Sequence, residues 1–183
     1  RPVTHDRGRG VRTVAFCHDD LTLGYLQDTD GDEDWRLYAL DLKTGESRLV
    51  TPGEGVHAMI LGHNRWHPDT VLVGLNADDP MLHDIYRFDL SSGAFDKVET
   101  NPGYAGWLID SDLSVRGGVA MTPEGGAIVY LRDPATGEDA RGLEISPDEV
   151  ATTGVYGFNR AGDALFLLSS AGVNASRLLR IDL

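Results

Sequence analysis

The stretch Asp28-Thr29-Asp30-Gly31-Asp32-Glu33-Asp34 is the densest group of carboxylates in the sequence. Carboxylates at alternating positions, here Asp28, Asp30 and Asp32, can turn toward one hard cation such as calcium. They are the metal candidates of the chain. The EF-hand pattern asks for Gly where Glu33 stands and for an acid at its twelfth position, which is Ala39. Neither demand is met, and the stretch reads as a solvated turn between two strands. Within a larger assembly it could instead face a central cavity or a domain interface. Histidines recur at His57, His63, His67 and His83. Two ligands on one strand sit at even spacing. His63 and His67 have that spacing, but Asn64-Arg65-Trp66 between them reads as a loop, so both read as turn or surface histidines.

The remaining reactive side chains offer less. Cys17 follows the apolar Thr13-Val14-Ala15-Phe16 and reads as a buried core thiol, not a nucleophile. Trp35, Trp66 and Trp107 could form a stacking surface for a peptide, or pack as core and rim residues. Trp107, beside Leu108-Ile109, reads as core. Gly8-Arg9-Gly10 and Gly117-Gly118 lack the strand-to-helix setting of a phosphate loop. No cofactor is expected.

Something must position these residues, and the bulk numbers bound what. The chain has 183 residues, 41% hydrophobic and 25% charged, enough for a sizeable core. A net charge of −13 disfavours a phosphate backbone or an anionic membrane surface as partner. The acidity reads as an ordinary soluble surface, or as a vestibule that attracts cationic ligands. One cysteine leaves no disulfide within the chain and fits the cytoplasm. Neither a membrane span nor a secretion leader is expected, although a leader could have been removed, or an upstream domain be missing, before Arg1.

An internal repeat supplies the architecture. Leu37-Tyr38-Ala39-Leu40-Asp41-Leu42-Lys43-Thr44-Gly45 recurs as Ile85-Tyr86-Arg87-Phe88-Asp89-Leu90-Ser91-Ser92-Gly93. A weaker copy runs from Val129 through Asp133 to Gly137, and the chain closes on Leu178-Leu179-Arg180-Ile181-Asp182-Leu183. The shared Asp41, Asp89, Asp133 and Asp182 are 48, 44 and 49 residues apart. Propeller blades repeat at roughly 40 to 50 residues. Period-two alternation, as in Tyr38, Leu40 and Leu42, puts an apolar set on one face of a sheet. Lys43-Thr44-Gly45 or Ser91-Ser92-Gly93 then supplies a tight turn, and a short outer strand follows, ended by Pro52 or Pro102.

Each period leaves room for two more strands. They fall at 11–16 and 21–27, at 56–61 and 71–75 with a loop over 64–69, at 106–109 with 115–121 and then 127–131, and at 154–158 and 164–168. No stretch carries a sustained helical stripe. Ser146-Pro147-Asp148-Glu149-Val150 begins at most one turn. The fold expected is all-β, a partial β-propeller of about four blades of four-stranded antiparallel sheet. It spans 1–183 as a single unit, with blades near 10–52, 55–102, 104–146 and 152–183, the last truncated. With no closing strand visible over 1–9, the expectation is a truncated arc whose exposed blade faces favour self-association.

Particular residues resemble the N-terminal propeller of the prolyl oligopeptidase family of serine peptidases, which includes dipeptidyl and acylaminoacyl peptidases. They are Tyr25-Leu26-Gln27-Asp28 through Trp35-Arg36-Leu37-Tyr38, Leu72-Val73-Gly74-Leu75-Asn76 with His83-Asp84-Ile85-Tyr86-Arg87, Ala105-Gly106-Trp107-Leu108 with Asp112-Leu113, and Thr152-Thr153-Gly154 with Gly157-Phe158. The resemblance implies a propeller that caps an α/β-hydrolase domain, admitting peptide substrates and excluding folded proteins. The nucleophile of that family lies in G-x-S-x-G at a strand-to-helix elbow. Here the nearest approach is Gly45-Glu46-Ser47-Arg48-Leu49, which lacks the second Gly and sits in a hairpin. No catalytic residue is therefore assigned, and the partner implied is a hydrolase domain outside this sequence. The alternative is a stand-alone partner-binding propeller of the TolB or WD-repeat type. A propeller enzyme with its own funnel site would need a convergent acid–base or metal set, which these residues do not supply.

Overall fold

The computed structural model describes residues 2–4, 8 and 10–183. The expectation that no closing strand lies over 1–9 and the Gly8-Arg9-Gly10 piece fall partly outside the described residues. Strands alternate with tight turns, and no helix occurs among the described residues. The strands form four antiparallel sheets, each a meander of consecutive strands. This is the β-propeller architecture, four blades of it.

The first compact unit is Arg1–Pro102. Its first sheet holds β1 (Thr13–Phe16), β2 (Thr22–Gln27), β3 (Arg36–Asp41) and β4 (Ser47–Leu49). Its second sheet holds β5 (Ala58–Asn64), β6 (His67–Asp79), β7 (Leu82–Asp89) and β8 (Phe95–Glu99). The second unit is Gly103–Leu183. It holds a sheet of β9 (Gly106–Ile109), β10 (Val115–Met121), β11 (Ala127–Arg132) and β12 (Asp139–Ile145). Its other sheet has β13 (Gly154–Phe158), β14 (Ala164–Ser169) and β15 (Arg177–Asp182), three strands in place of four.

Alternation along β3 was expected to bury one face. The structure buries both. Leu26, Leu37 and Ala39 pack against Ala58, Val71, Val73, Leu75 and Phe88 of the second sheet. On the opposite face Leu23, Tyr25 and Leu40 form a second cluster with Val11 and Tyr38. The registers explain it: Tyr25 pairs with Tyr38 on one face, and Leu26 with Leu37 on the other. One face of the first sheet is thus covered by the second sheet, and the other by a cluster of its own side chains with Val11. In the second unit Leu108, Ala127, Val129 and Ile145 pack with Val155 and Phe158 of the three-stranded sheet. Each Val, Leu, Ile or Phe among them contributes about 1.5–3 kcal/mol when fully buried.

The repeated Asp has a structural task. Asp41 Oδ1 accepts the N–H groups of Lys43 at 2.7 Å and Thr44 at 2.9 Å, and the Gly45 N–H donates to the Asp41 carbonyl at 2.8 Å. Asp89 repeats this with Ser92 and Gly93, and Asp133 with Ala135 and Gly137. The three glycines have φ of 78°, 77° and 75°, the left-handed region that a side chain resists. The carboxylate closes the hairpin as an Asx turn, which explains why Asp and Gly recur together.

Two glycines of β10 answer to close packing. A Cβ on Gly117, where φ is 123° beside a bulge, would lie 2.1 Å from the Tyr130 carbonyl oxygen. One on Gly118 would lie 2.2 Å from the Tyr104 ring.

The second period departs from its expected division. The loop placed over 64–69 is only the turn Arg65-Trp66, and β6 runs from His67 to Asp79. Asn64 Oδ1 accepts the N–H of Trp66 at 3.1 Å and of His67 at 3.2 Å, so a carboxamide shapes the turn. His63 and His67 consequently lie on different, paired strands, and even spacing along one strand does not describe them. The segment at Ser146–Val150 is a turn, held by the Glu149 and Val150 N–H groups on the Ser146 carbonyl.

Candidate functional site

The acidic stretch forms the β2–β3 connection of the first sheet. Its backbone is folded tightly: Asp30, Gly31 and Glu33 all have positive φ, at 53°, 84° and 59°. Asp32 shapes it from within. Its Oδ1 accepts the Thr29 N–H at 3.0 Å and the Asp34 N–H at 3.1 Å.

Arg36, the first residue of β3, organises the stretch. Its guanidinium is buried, at 7% side-chain exposure, and Nη2 lies 2.6 Å from Asp32 Oδ2. Nη1 donates to Thr29 Oγ1 at 3.2 Å and to the Asp34 carbonyl at 3.1 Å. Nε donates to the Gly53 carbonyl, beyond β4. Asp34 Oδ2 accepts the Gly55 N–H at 2.7 Å, tying the stretch to the same segment. The hydrogen bond from Arg36 holds the Asp32 carboxyl down at about 2. A shallow depression of about 560 Å³ opens here, lined by Thr29, Asp32, Arg36, Tyr38, Gly53 and Glu54 among others.

The candidates Asp28, Asp30 and Asp32 have different fates. Asp28 is buried at 3% exposure, Asp30 lies at the tip in left-handed backbone, and Asp32 faces Arg36. Among the described residues no group of three or more His, Cys, Asp or Glu side chains is placed to hold a metal ion. The cation of this loop is Arg36, a residue the reading of the carboxylates alone did not single out. Its signal in sequence was an Arg directly after the acidic run, but Gly53 is too remote to be seen there.

Cys17 is buried, and that burial pushes its thiol up to about 11, the wrong direction for a nucleophile. The tryptophans take separate partners. The Arg12 guanidinium lies 4.6 Å over Trp35, and that of Arg65 5.0 Å over Trp66. Trp107 is half-buried and meets Tyr104 edge-on at 5.4 Å. Ser47 spends its hydroxyl on Tyr25 Oη at 2.7 Å in the first hairpin, with no strand-to-helix elbow around it.

The second unit carries a cleft of about 400 Å³ between the ends of its two sheets, lined by Arg116, Arg132, Phe158 and Leu183 among others. Both arginines are committed. Arg116 pairs with Asp110 at 3.0 Å and stacks 5.0 Å over Phe158, while Arg132 pairs with Asp139 at 2.8 Å. Tyr104 donates to the same Asp139 at 2.8 Å. These are bracing contacts, and the carboxylates of Asp133 and Asp163 also line the cleft. Among the described residues no helix is long and apolar enough to cross a membrane.

No family model matches the sequence. Similarity to characterised proteins is nonetheless extensive. Dipeptidyl aminopeptidase BIII of Pseudoxanthomonas mexicana is 39% identical over 183 residues, all of this chain and 26% of that protein. Dipeptidyl peptidase family member 6 of Caenorhabditis elegans is 29% identical over 195 residues, covering 98% of this chain and 26% of that protein. The chain thus spans about a quarter of the length of these relatives.

Solved structures share the fold at lower identity. Dipeptidyl peptidase 4 of Porphyromonas gingivalis matches with a TM-score of 0.60 and 13% identity, over 92% of this chain and 29% of that one. TolB of Acinetobacter baumannii matches with a TM-score of 0.53 and 18% identity, over 99% of this chain and 45% of that one. Repeat, blades and end-to-end similarity converge: the chain is a β-propeller segment similar along its whole length to about a quarter of a dipeptidyl aminopeptidase, with a fold shared by a solved dipeptidyl peptidase 4.

Proposed function

We propose that this chain is the non-catalytic propeller portion of a prolyl-oligopeptidase-like serine peptidase, gating peptide access to an α/β-hydrolase domain outside this sequence. One observation carries the reading: 39% identity along the whole chain to a quarter of a dipeptidyl aminopeptidase. The sequence agrees with a division of labour, since it has no G-x-S-x-G. In this reading the blades, near 10–52, 55–102, 104–146 and 152–183, belong to one propeller. The substrates are peptides, and the setting is the cytoplasm, where a lone buried thiol is at home.

The test is made on the longer protein. Its gene should encode a hydrolase domain with G-x-S-x-G followed by Asp and His. The protein should cleave a short peptide and spare the same sequence inside a folded domain. Absence of such a domain overturns the peptidase reading. Equal cleavage of both substrates overturns the gating.

For the isolated chain the reading extends to self-association. The three-stranded sheet leaves Tyr156 79%, Leu178 60% and Leu168 41% exposed. In a stacked blade these positions meet a neighbour, and uncovered they favour another copy. Light scattering should give more than the monomer mass. A monomer at high dilution overturns this.

The second reading, a stand-alone partner-binding propeller, draws on the likeness to TolB, which extends over 99% of this chain at the level of fold. A reading frame that closes the propeller and then ends would favour it.

A further inference from the structure

All six histidines of the chain lie within residues 1–102, and the second unit has none. Two of them meet across the seam between the first and second sheets. His18, in the β1–β2 turn, and His63, near the end of β5, have ring centroids 5.3 Å apart with planes 32° from parallel. Nδ1 of His63 is buried and makes no hydrogen bond. A third, His57, precedes β5 at the other end of the strand and meets His83 of β7 at 5.4 Å. The same end of β5 is tied to the first sheet by the Ala58 N–H, which donates to the Trp35 carbonyl at 2.7 Å. Both ends of β5 are therefore fastened near imidazoles.

We infer that the seam between the first and second sheets is an acid-responsive joint, in which the His63 imidazole packs against His18 across it while neutral and parts from it once charged.

The charges nearby do not offset a proton on His63. The group that bears on it is His18, itself a base. The Asp19 carboxylate beside His18 is engaged by the N–H groups of Leu21 and Thr22 and by the Thr22 hydroxyl. Arg65 lies over Trp66. Burial, then His18, holds His63 below the ordinary histidine value. At the other end, burial and Arg12 lower His57 against the opposing pull of Asp34. Burial and His57 lower His83 against Asp84. Each of these histidines binds a proton more readily in the unfolded chain. The stability tied to their neutral forms is complete above about pH 6.5 and is lost as pH falls below it. Local opening at β5 is the economical response, because it releases these rings without unfolding the second unit.

The experiment is a proton–carbon NMR titration of the histidine rings in the purified chain from pH 8 to pH 5. It is paired with amide-exchange protection, corrected for intrinsic rate, at pH 7.5 and 5.5. His63 should titrate below the ordinary value. Amides of β5 and of the 17–21 turn should lose more protection on acidification than those of β10 and β11, which have no histidine near them in sequence. In His18→Gln the loss at β5 should shrink. Titration of His63 at or above the ordinary value, equal losses in both units, or an undiminished loss in the variant would each overturn the inference. If His18→Gln does not fold, the titration and exchange of the native chain decide alone. None of these readouts depends on the peptidase assignment.

Discussion

Arg36 and Asp32, four residues apart, are joined by a 2.6 Å contact between Nη2 and Oδ2 in which the guanidinium is buried and the carboxylate is partly exposed. That asymmetry says which partner matters more. Removing the arginine takes away the common donor of six acceptor atoms, the Gly53 carbonyl and Thr29 hydroxyl among them. Arg36→Ala should lower the melting temperature by several degrees and raise proteolysis around residues 28–35. Asp32→Asn, which keeps a hydrogen-bonding oxygen, should do less. Equal effects in the two variants would show that the buried cation is not the organiser.

The same contact predicts indifference to calcium. Asp32 is already neutralised by Arg36, so the loop gains little from a second cation. Melting temperatures in millimolar calcium and in chelator should agree. A calcium-dependent rise abolished by Asp30→Asn would restore the loop as a metal site.

Acid stability should show the carboxylates that the fold holds down. Asp32 is lowered to about 2 by Arg36, and Asp89 to about 2 by the Ser91 hydroxyl and the Ser92 N–H. Their folded values lie below those of the unfolded chain. The stability they lend is present above about pH 4 and is lost as pH falls through that value toward 2. Denaturation midpoints in urea should therefore drop across this window. Asp89→Asn should flatten the drop, and an unchanged slope would remove Asp89 from the account.

How legible this was in sequence depended on distance along the chain. The repeated Asp and Gly were visible because each turn is closed by residues at most four apart, and the strand pattern between them followed. The turn at Arg65-Trp66 was not visible. Neither residue has a positive φ, so no Gly marks it, and the closing group is the Asn64 side chain. Burial of both faces of β3 was hidden as well, since alternation describes one sheet and not its neighbours. At the acidic loop the carboxylates were read but their owner was not, because the Gly53 carbonyl that completes the Arg36 cage is 17 residues away.

Core substitutions should separate the two sides of a blade. Leu75 is fully buried in the cluster shared by the first two sheets, and Leu165 is 2% exposed in the fourth. Each change to Ala should cost about 2–5 kcal/mol. Gly118→Ala, which drives a methyl into the Tyr104 ring, should cost about 1–3 kcal/mol. Urea titration measures all three. A neutral Gly118→Ala would mean that the Tyr104 ring swings aside freely.

A fluorophosphonate probe tests the absence of a nucleophile directly. No serine of the purified chain should react, Ser47 included, because its hydroxyl is held by Tyr25 and has no histidine base beside it in sequence. Stoichiometric labelling of any serine, seen by mass spectrometry, would contradict the proposed division of labour.

The hairpins closed by Asp41, Asp89 and Asp133 also bear on how the chain comes to be folded. Every strand pairs only with its immediate predecessor or successor. Contact order within a sheet is therefore low, and each blade can assemble as it leaves the ribosome without waiting for distant sequence. A lesion in one turn, such as loss of Asp89, would be felt first in its own blade. An array of this kind can gain or lose a blade by duplication or deletion in the gene with the remaining turns still intact.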